Sequence, residues 1–120
     1  MRRPSIAALA CAAALTIVPA AASAHSEVVA TSPKAGGTAS TKVTKVTVTF
    51  SGPVRSGTIR VTGPGGVVSV GRGGSDPRNV NRLTVALKRG LKAGRYTAAW
   101  TARAADGHAQ RGSFRFRLKR

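Results

Sequence analysis

The residues able to do chemistry are few. The chain has 120 residues and 20 Lys+Arg, but only three carboxylates, two histidines and one cysteine. They are Glu27, Asp76 and Asp106, His25 and His108, and Cys11. Two of them fall together in the stretch Ala105-Asp106-Gly107-His108-Ala109-Gln110. Asp-Gly between two alternating apolar segments is a hairpin signal, and a plain turn is the simplest reading. His108 nevertheless follows Asp106 by two residues, at the mouth of that hairpin, so both side chains can face one ligand. Asp76 precedes Pro77 in a glycine-rich stretch and reads as a turn residue. Glu27 falls on the first alternating segment and reads as a surface charge among many cations.

His25 draws its interest from what precedes it. Arg2 and Arg3, the apolar run from Ile6 to Val18, Pro19, and the small residues Ala22 and Ala24 have the layout of an export signal cleaved after Ala24. The expected organisation is a signal peptide over 1–24 and one small domain over 25–120. The apolar run is shorter than the about 20 residues that span a bilayer, and no second one follows, so no membrane span is expected. Lipidation at Cys11 is the competing processing route, but that cysteine stands only halfway along the apolar run.

Cleavage after Ala24 makes His25 the first residue of the mature chain. Its α-amine and Nδ1 can then close a six-membered chelate on one metal. The reference pKa of such an amine is about 7.7–8.0, so a metal can displace its proton near neutrality. His108 supplies a third nitrogen and Asp106 an oxygen. Three nitrogens and one oxygen, two of the nitrogens locked in a chelate, suit tetragonal Cu(II). Zn(II) prefers a tetrahedron and stands lower in the affinity order. The same cleavage removes Cys11 and Met1, which leaves residues 25–120 with no thiol, no thioether and no possible disulfide.

The elements that must position these groups alternate with period two. Val46, Val48 and Phe50 alternate with polar neighbours, as do Ile59 and Val61, Leu83, Val85 and Leu87, Tyr96 to Ala102, and Phe114 to Leu118. Each pattern is that of a strand with one buried and one wet face. Val28–Thr31 and Val67–Val70 add two short runs, for about seven strands. Gly and Pro clusters separate them, and no segment after residue 24 has a helical period. The expected fold is all-β, a seven-stranded Greek-key β-barrel or immunoglobulin-like sandwich. The polar stretch from Gly71 to Asn81 reads as a mobile loop. Phe50, Tyr96, Trp100, Phe114 and Phe116 fall on inward phases and read as core, which argues against a base-stacking platform.

The formal charge of the full chain is +17. Without Arg2 and Arg3, 18 Lys+Arg oppose three carboxylates, a net +15. Such a charge favours contact with nucleic acid, anionic lipid or acidic envelope polymers. The basic residues are scattered, with no run longer than two, so solvated strand faces are the equal alternative.

The residues described so far resemble the CopC copper-resistance family. The resemblance begins with His25 and Ser32-Pro33-Lys34-Ala35-Gly36. It continues through VTVTFSGPV at 46–54. It ends with LKAGRYTAAWTARAADGHAQRGSFRF at 91–116, its most specific block. It implies a Greek-key β fold and a site of one Cu(II) per chain, held by His25, Asp106 and His108 in an arrangement similar to a histidine brace. The absence of methionine from 25–120 implies a Cu(II)-only type, without the family's methionine-built Cu(I) site. Two positions depart from the pattern. Gly52 replaces a family glutamate, and Ala104-Ala105 replaces the segment with a serine before D-G-H.

The functional expectation is a secreted or periplasmic Cu(II)-binding protein of copper homeostasis or resistance, a carrier or buffer and not an enzyme. It would be a monomer, its partners the copper ion, a membrane copper transporter of the CopD type, and anionic envelope polymers, with no specific nucleic acid. The alternatives are a basic polyanion-binding β-domain and a histidine-brace copper monooxygenase.

Overall fold

The computed structural model describes residues 26–120. The expected export signal, Cys11 and His25 lie outside the described residues.

Nine strands form: β1 Val28–Ser32, β2 Thr38–Ser40, β3 Lys45–Phe50, β4 Val54–Gly63, β5 Gly66–Val67, β6 Ser69–Asp76, β7 Asn79–Leu87, β8 Gly94–Ala104 and β9 Ala109–Lys119. They build a four-stranded sheet in the order β1-β3-β7-β6 and a five-stranded sheet in the order β2-β9-β8-β4-β5. β2 runs parallel to β9, and the other pairings are antiparallel. The chain changes sheet after β1, β2, β3, β5 and β7, as Greek-key connections do. The all-β expectation holds, and the form is a two-sheet sandwich, not a closed barrel.

The period-two pattern becomes burial directly. Along β8, Tyr96, Ala98, Trp100, Ala102 and Ala104 are buried while the residues between them are exposed. Valines and leucines of β3 and β7 meet in register, Val46 with Val85 and Val48 with Leu83. On the other sheet Ile59 meets Trp100 and Val61 meets Ala98. Between the sheets, Phe50 stands edge-on to Trp100 at 5.0 Å, and Tyr96 stacks on Phe116 at 5.6 Å. Tyr96 also sends its hydroxyl back to the Lys92 carbonyl at 2.6 Å. That bond anchors the start of β8 and satisfies the one polar atom of a buried ring, in the manner of the tyrosine corner of β-sandwiches.

Three readings of the sequence are corrected by the structure. The glycine-rich stretch from Gly71 to Asn81 is not a loop. It forms most of the β6–β7 hairpin, turning at Pro77-Arg78. Gly71 and Gly73 have φ of +70° and +72°, and the register slips between Val70 and Gly74. Glycine lets the strand bulge there and still pair, but it erases the apolar alternation by which a strand is read. The run Val67–Val70 is not one strand. Val68 N donates to Val61 O in the five-stranded sheet, and Val68 O accepts from Lys88 N beside the four-stranded one, each at 2.9 Å. The chain therefore crosses between sheets at Val68. The third correction is β2, a three-residue edge strand too short to carry a period.

Candidate metal centre

β8 ends at Ala104 and β9 begins at Ala109, with Arg103 and Ala109 the last pair of the ladder. The turn between them is closed by main chain. Ala104 N donates to His108 O, and Gly107 N donates to Ala104 O, both at 2.9 Å. Gly107 has φ +91°, a conformation side-chain-bearing residues rarely adopt. Arg103 Nη1 donates to Gly107 O at 2.7 Å, which braces the turn from its β8 side.

Asp106 then grips His108 twice. Its Oδ1 accepts from the His108 backbone N at 2.9 Å, a local Asx turn. Its Oδ2 lies 2.8 Å from His108 Nδ1. A carboxylate at Nδ1 selects the tautomer that carries its proton there, which leaves the lone pair on Nε2. The imidazole is thereby oriented and its ligating nitrogen chosen. The His108 side chain is 66% exposed, so this nitrogen is presented at the rim of the molecule and not inside it. A metal on Nε2 lies on the far side of the ring from this carboxylate, so Asp106 can join the same metal only by releasing Nδ1.

The other two acidic residues are a turn residue and an exposed surface charge. Asp76 Oδ1 accepts from Arg78 N at 2.9 Å, and its Oδ2 lies 3.7 Å from Arg82 Nη1, which makes it a turn residue as expected. Glu27 stands just before β1, and its main chain is tied to the β3–β4 loop. Its N donates to Ser51 Oγ at 2.9 Å, and Ser51 N donates to its carbonyl at 2.7 Å. Among the described residues, no three of His, Cys, Asp and Glu gather into a ligand group. The pair Asp106 and His108 is the chemistry they provide.

Sequence reasoning missed how the start of the described chain is seated. Ser26 is buried, at 8% exposure. A Cβ built on Gly52 would stand 3.0 Å from Ser26 Oγ, so the bare glycine makes room for this serine. Two residues on, Val54 pairs with Ala104, the last residue of β8. Ser26, the β3–β4 loop and the Asp106–His108 turn therefore share one end of the sandwich. The available signal was Gly52 itself, a glycine where the family pattern has a large acidic side chain.

The family model for the CopC domain matches residues 28–119. Among solved structures the chain is similar to CopC from Methylosinus trichosporium OB3b, with 24% identity and a TM-score of 0.70 over 79% of this chain and 94% of that one. It is also similar to PcoC, a methionine-rich copper resistance protein from Escherichia coli, with 21% identity and a TM-score of 0.66 over 79% of this chain and 99% of that one. At these identities the likeness establishes the shared fold. No curated protein matches the chain.

Proposed function

Because this chain belongs to the CopC family, we propose that it is an exported copper-binding protein that holds one Cu(II) as cargo and acts as a carrier or buffer in copper homeostasis or resistance. The ligands are His108, His25 through its imidazole and, after cleavage behind Ala24, its α-amine, and Asp106 once its carboxylate turns from Nδ1 to the metal. A carboxylate and borderline imidazole nitrogens match the donor preference of Cu(II). Copper is the solute in this reading, and the chain's part is to present ligands in fixed orientation.

The observation that carries the proposal is the convergence at one end of the sandwich. Ser26, the residue next to His25, is buried beside Gly52, and the same loop leads into the strand that pairs with Ala104 at the base of the Asp106–His108 turn. An N-terminal histidine and a D-x-H hairpin far apart in sequence thus have their neighbours at one rim. The same rim is open to solvent, which suits an ion that must be taken up and handed on.

The test is the mature N-terminus together with copper titration. Mass spectrometry of the exported protein is expected to give a chain beginning at His25. A variant with one extra residue before His25 is expected to lose most of its Cu(II) affinity, since the amine moves away from the imidazole. Equal titrations for the two forms would refute the amine chelate. Oxidative turnover of polysaccharide with a reductant would instead favour the monooxygenase alternative.

A further inference from the structure

Some of the basic residues that are scattered along the sequence gather on one face. β9 alternates, so Arg111, Arg115, Arg117 and Lys119 all emerge on the outer face of the five-stranded sheet. The register puts Arg95 of β8 directly opposite Arg117, and Arg60 of β4 opposite Ala99 on the same face. All six are exposed. Between them stand Thr58, Thr62, Thr97, Thr101 and Ser113, hydroxyl donors on the same side. The three carboxylates of the described chain lie elsewhere. Glu27 and Asp76 belong with the four-stranded sheet, and Asp106 is in the turn beyond the end of β8.

This face is unlike an ordinary solvated one. Such faces interleave both signs of charge, and like charges directly opposite in a sheet are destabilising. Here Arg95 faces Arg117 with Arg115 on the adjacent pair, and no acid offsets them. Successive outward residues of a strand are about 7 Å apart, within one Debye length of about 8 Å, so Arg115, Arg117 and Lys119 act as one field, with Arg111 two outward positions further along. The row is linear, running along a single strand. A hollow of about 410 Å³ opens beside it, lined by Gly36, Gly37, Arg95, Thr97, Arg115 and Arg117 together with the buried Tyr96 and Phe116. The two glycines leave it without side-chain walls on the β2 side.

We propose that this face binds a linear phosphodiester polymer, which lies along β9 and is read through its backbone alone. Five of the six cations are arginines, whose planar forks bind phosphate oxygens in pairs, and the intervening hydroxyls add single hydrogen bonds. The aromatic rings all belong to strands of the core, with Tyr96, Trp100 and Phe116 buried, so the face has no platform on which to stack bases. Its exposed Val67 sits on β5, opposite Thr62 and separated from β9 by β8 and β4, so the face offers no cluster of large apolar side chains to a bilayer. Its cations form a row, which matches a chain of phosphates better than a plane of headgroups. The proposal is independent of the copper site at the rim.

The experiment measures binding of fluorescently labelled poly(glycerol phosphate) to the exported protein across a salt series. The triple variant Arg95→Gln, Arg115→Gln, Arg117→Gln is compared with Arg72→Gln, Arg78→Gln, Arg89→Gln, which removes equal charge away from this face. Roughly tenfold or greater loss is expected for the first triple and less than about twofold for the second, with the log–log salt slope falling by about 2 for the first. Both triples should still take up one equivalent of copper, which reports an intact fold. Equal loss in the two triples would overturn the proposal, since net charge alone would then account for binding. So would tighter binding to phosphatidylglycerol vesicles at matched accessible phosphate, or base-dependent affinity for single-stranded oligonucleotides. Base-independent oligonucleotide binding, lost in the first triple only, would support it.

Discussion

Asp106 orients His108. It takes hydrogen bonds from both the backbone N and the Nδ1 of His108, at 2.9 and 2.8 Å. Replacing His108 by Ala should weaken Cu(II) binding by about 10–100-fold or more, since even losses among a ligand's outer partners have that scale. The melting temperature should hardly move, because the ring is exposed and packs no core. Asp106→Asn is the sharper probe. If its amide oxygen keeps the backbone bond, its NH₂ faces Nδ1, and the ring must then accept there and carry its proton on Nε2. That tautomer cannot ligate through Nε2, and the carboxylate ligand is lost as well, so copper affinity should fall about tenfold or more although the shape is conserved. Nitrogen NMR of the imidazole reads the tautomer directly, and unchanged affinity with a switched tautomer would show that Nε2 is not the ligand. The D-x-H spacing made this pair legible in the sequence. What the spacing does not reveal is that both carboxylate oxygens turn onto the same residue, because that follows from the turn geometry set by Gly107.

At the scale of elements, the strands that alternate cleanly were legible and those interrupted by glycine were not. β3, β7 and β8 present apolar residues at every second position because each buries one face, and the same rule fails for β6, where Gly71, Gly73 and Gly74 carry no side chain to bury. β9 shows what a glycine can do inside a clean pattern. Gly112 lies opposite Trp100, and a Cβ there would stand 2.5 Å from Trp100 Cζ2 and 2.7 Å from Cε2. The indole is hemmed in by Phe50 at 5.0 Å on its other side, so it cannot simply move away. Gly112→Ala should therefore cost about 1–3 kcal/mol, the usual range for forcing atoms into a packed core. For a domain of this size each kcal/mol lowers the melting temperature by about 4–8 °C. Thermal unfolding checks the size of the effect, and an unchanged melting temperature would mean that the Trp100 pocket is looser than its geometry shows. Tyr96→Phe should be milder. It removes the bond to Lys92 O and leaves that acceptor at the surface end of β8, a loss of about 1 kcal/mol.

Over the whole molecule, composition decides which oxidation state of copper the protein can keep. Residues 25–120 contain no cysteine and no methionine, and their histidines are two. Cu(I) is held by thiolate and thioether, whereas imidazole, amine and carboxylate suit Cu(II). Residues 25–120 can supply no soft ligand, so if they hold copper as proposed, reduction should weaken its binding wherever in that domain the metal sits. The field of the protein acts in the same direction for both ions, because a net positive chain repels any cation. It is also screened beyond about 8 Å at physiological salt, so it shifts both affinities slightly and leaves their order to the ligands. Loaded with one equivalent of Cu(II), the protein should retain the metal through gel filtration while oxidised. After addition of ascorbate it should release the metal to a Cu(I) chelator of modest affinity, within the time of mixing and in full. Copper spectroscopy of the oxidised form and chelator absorbance after reduction measure the two halves of that expectation. A chain that still holds one Cu(I) against the chelator, or that takes up a second copper on reduction, would overturn the assignment of the site to Cu(II) alone.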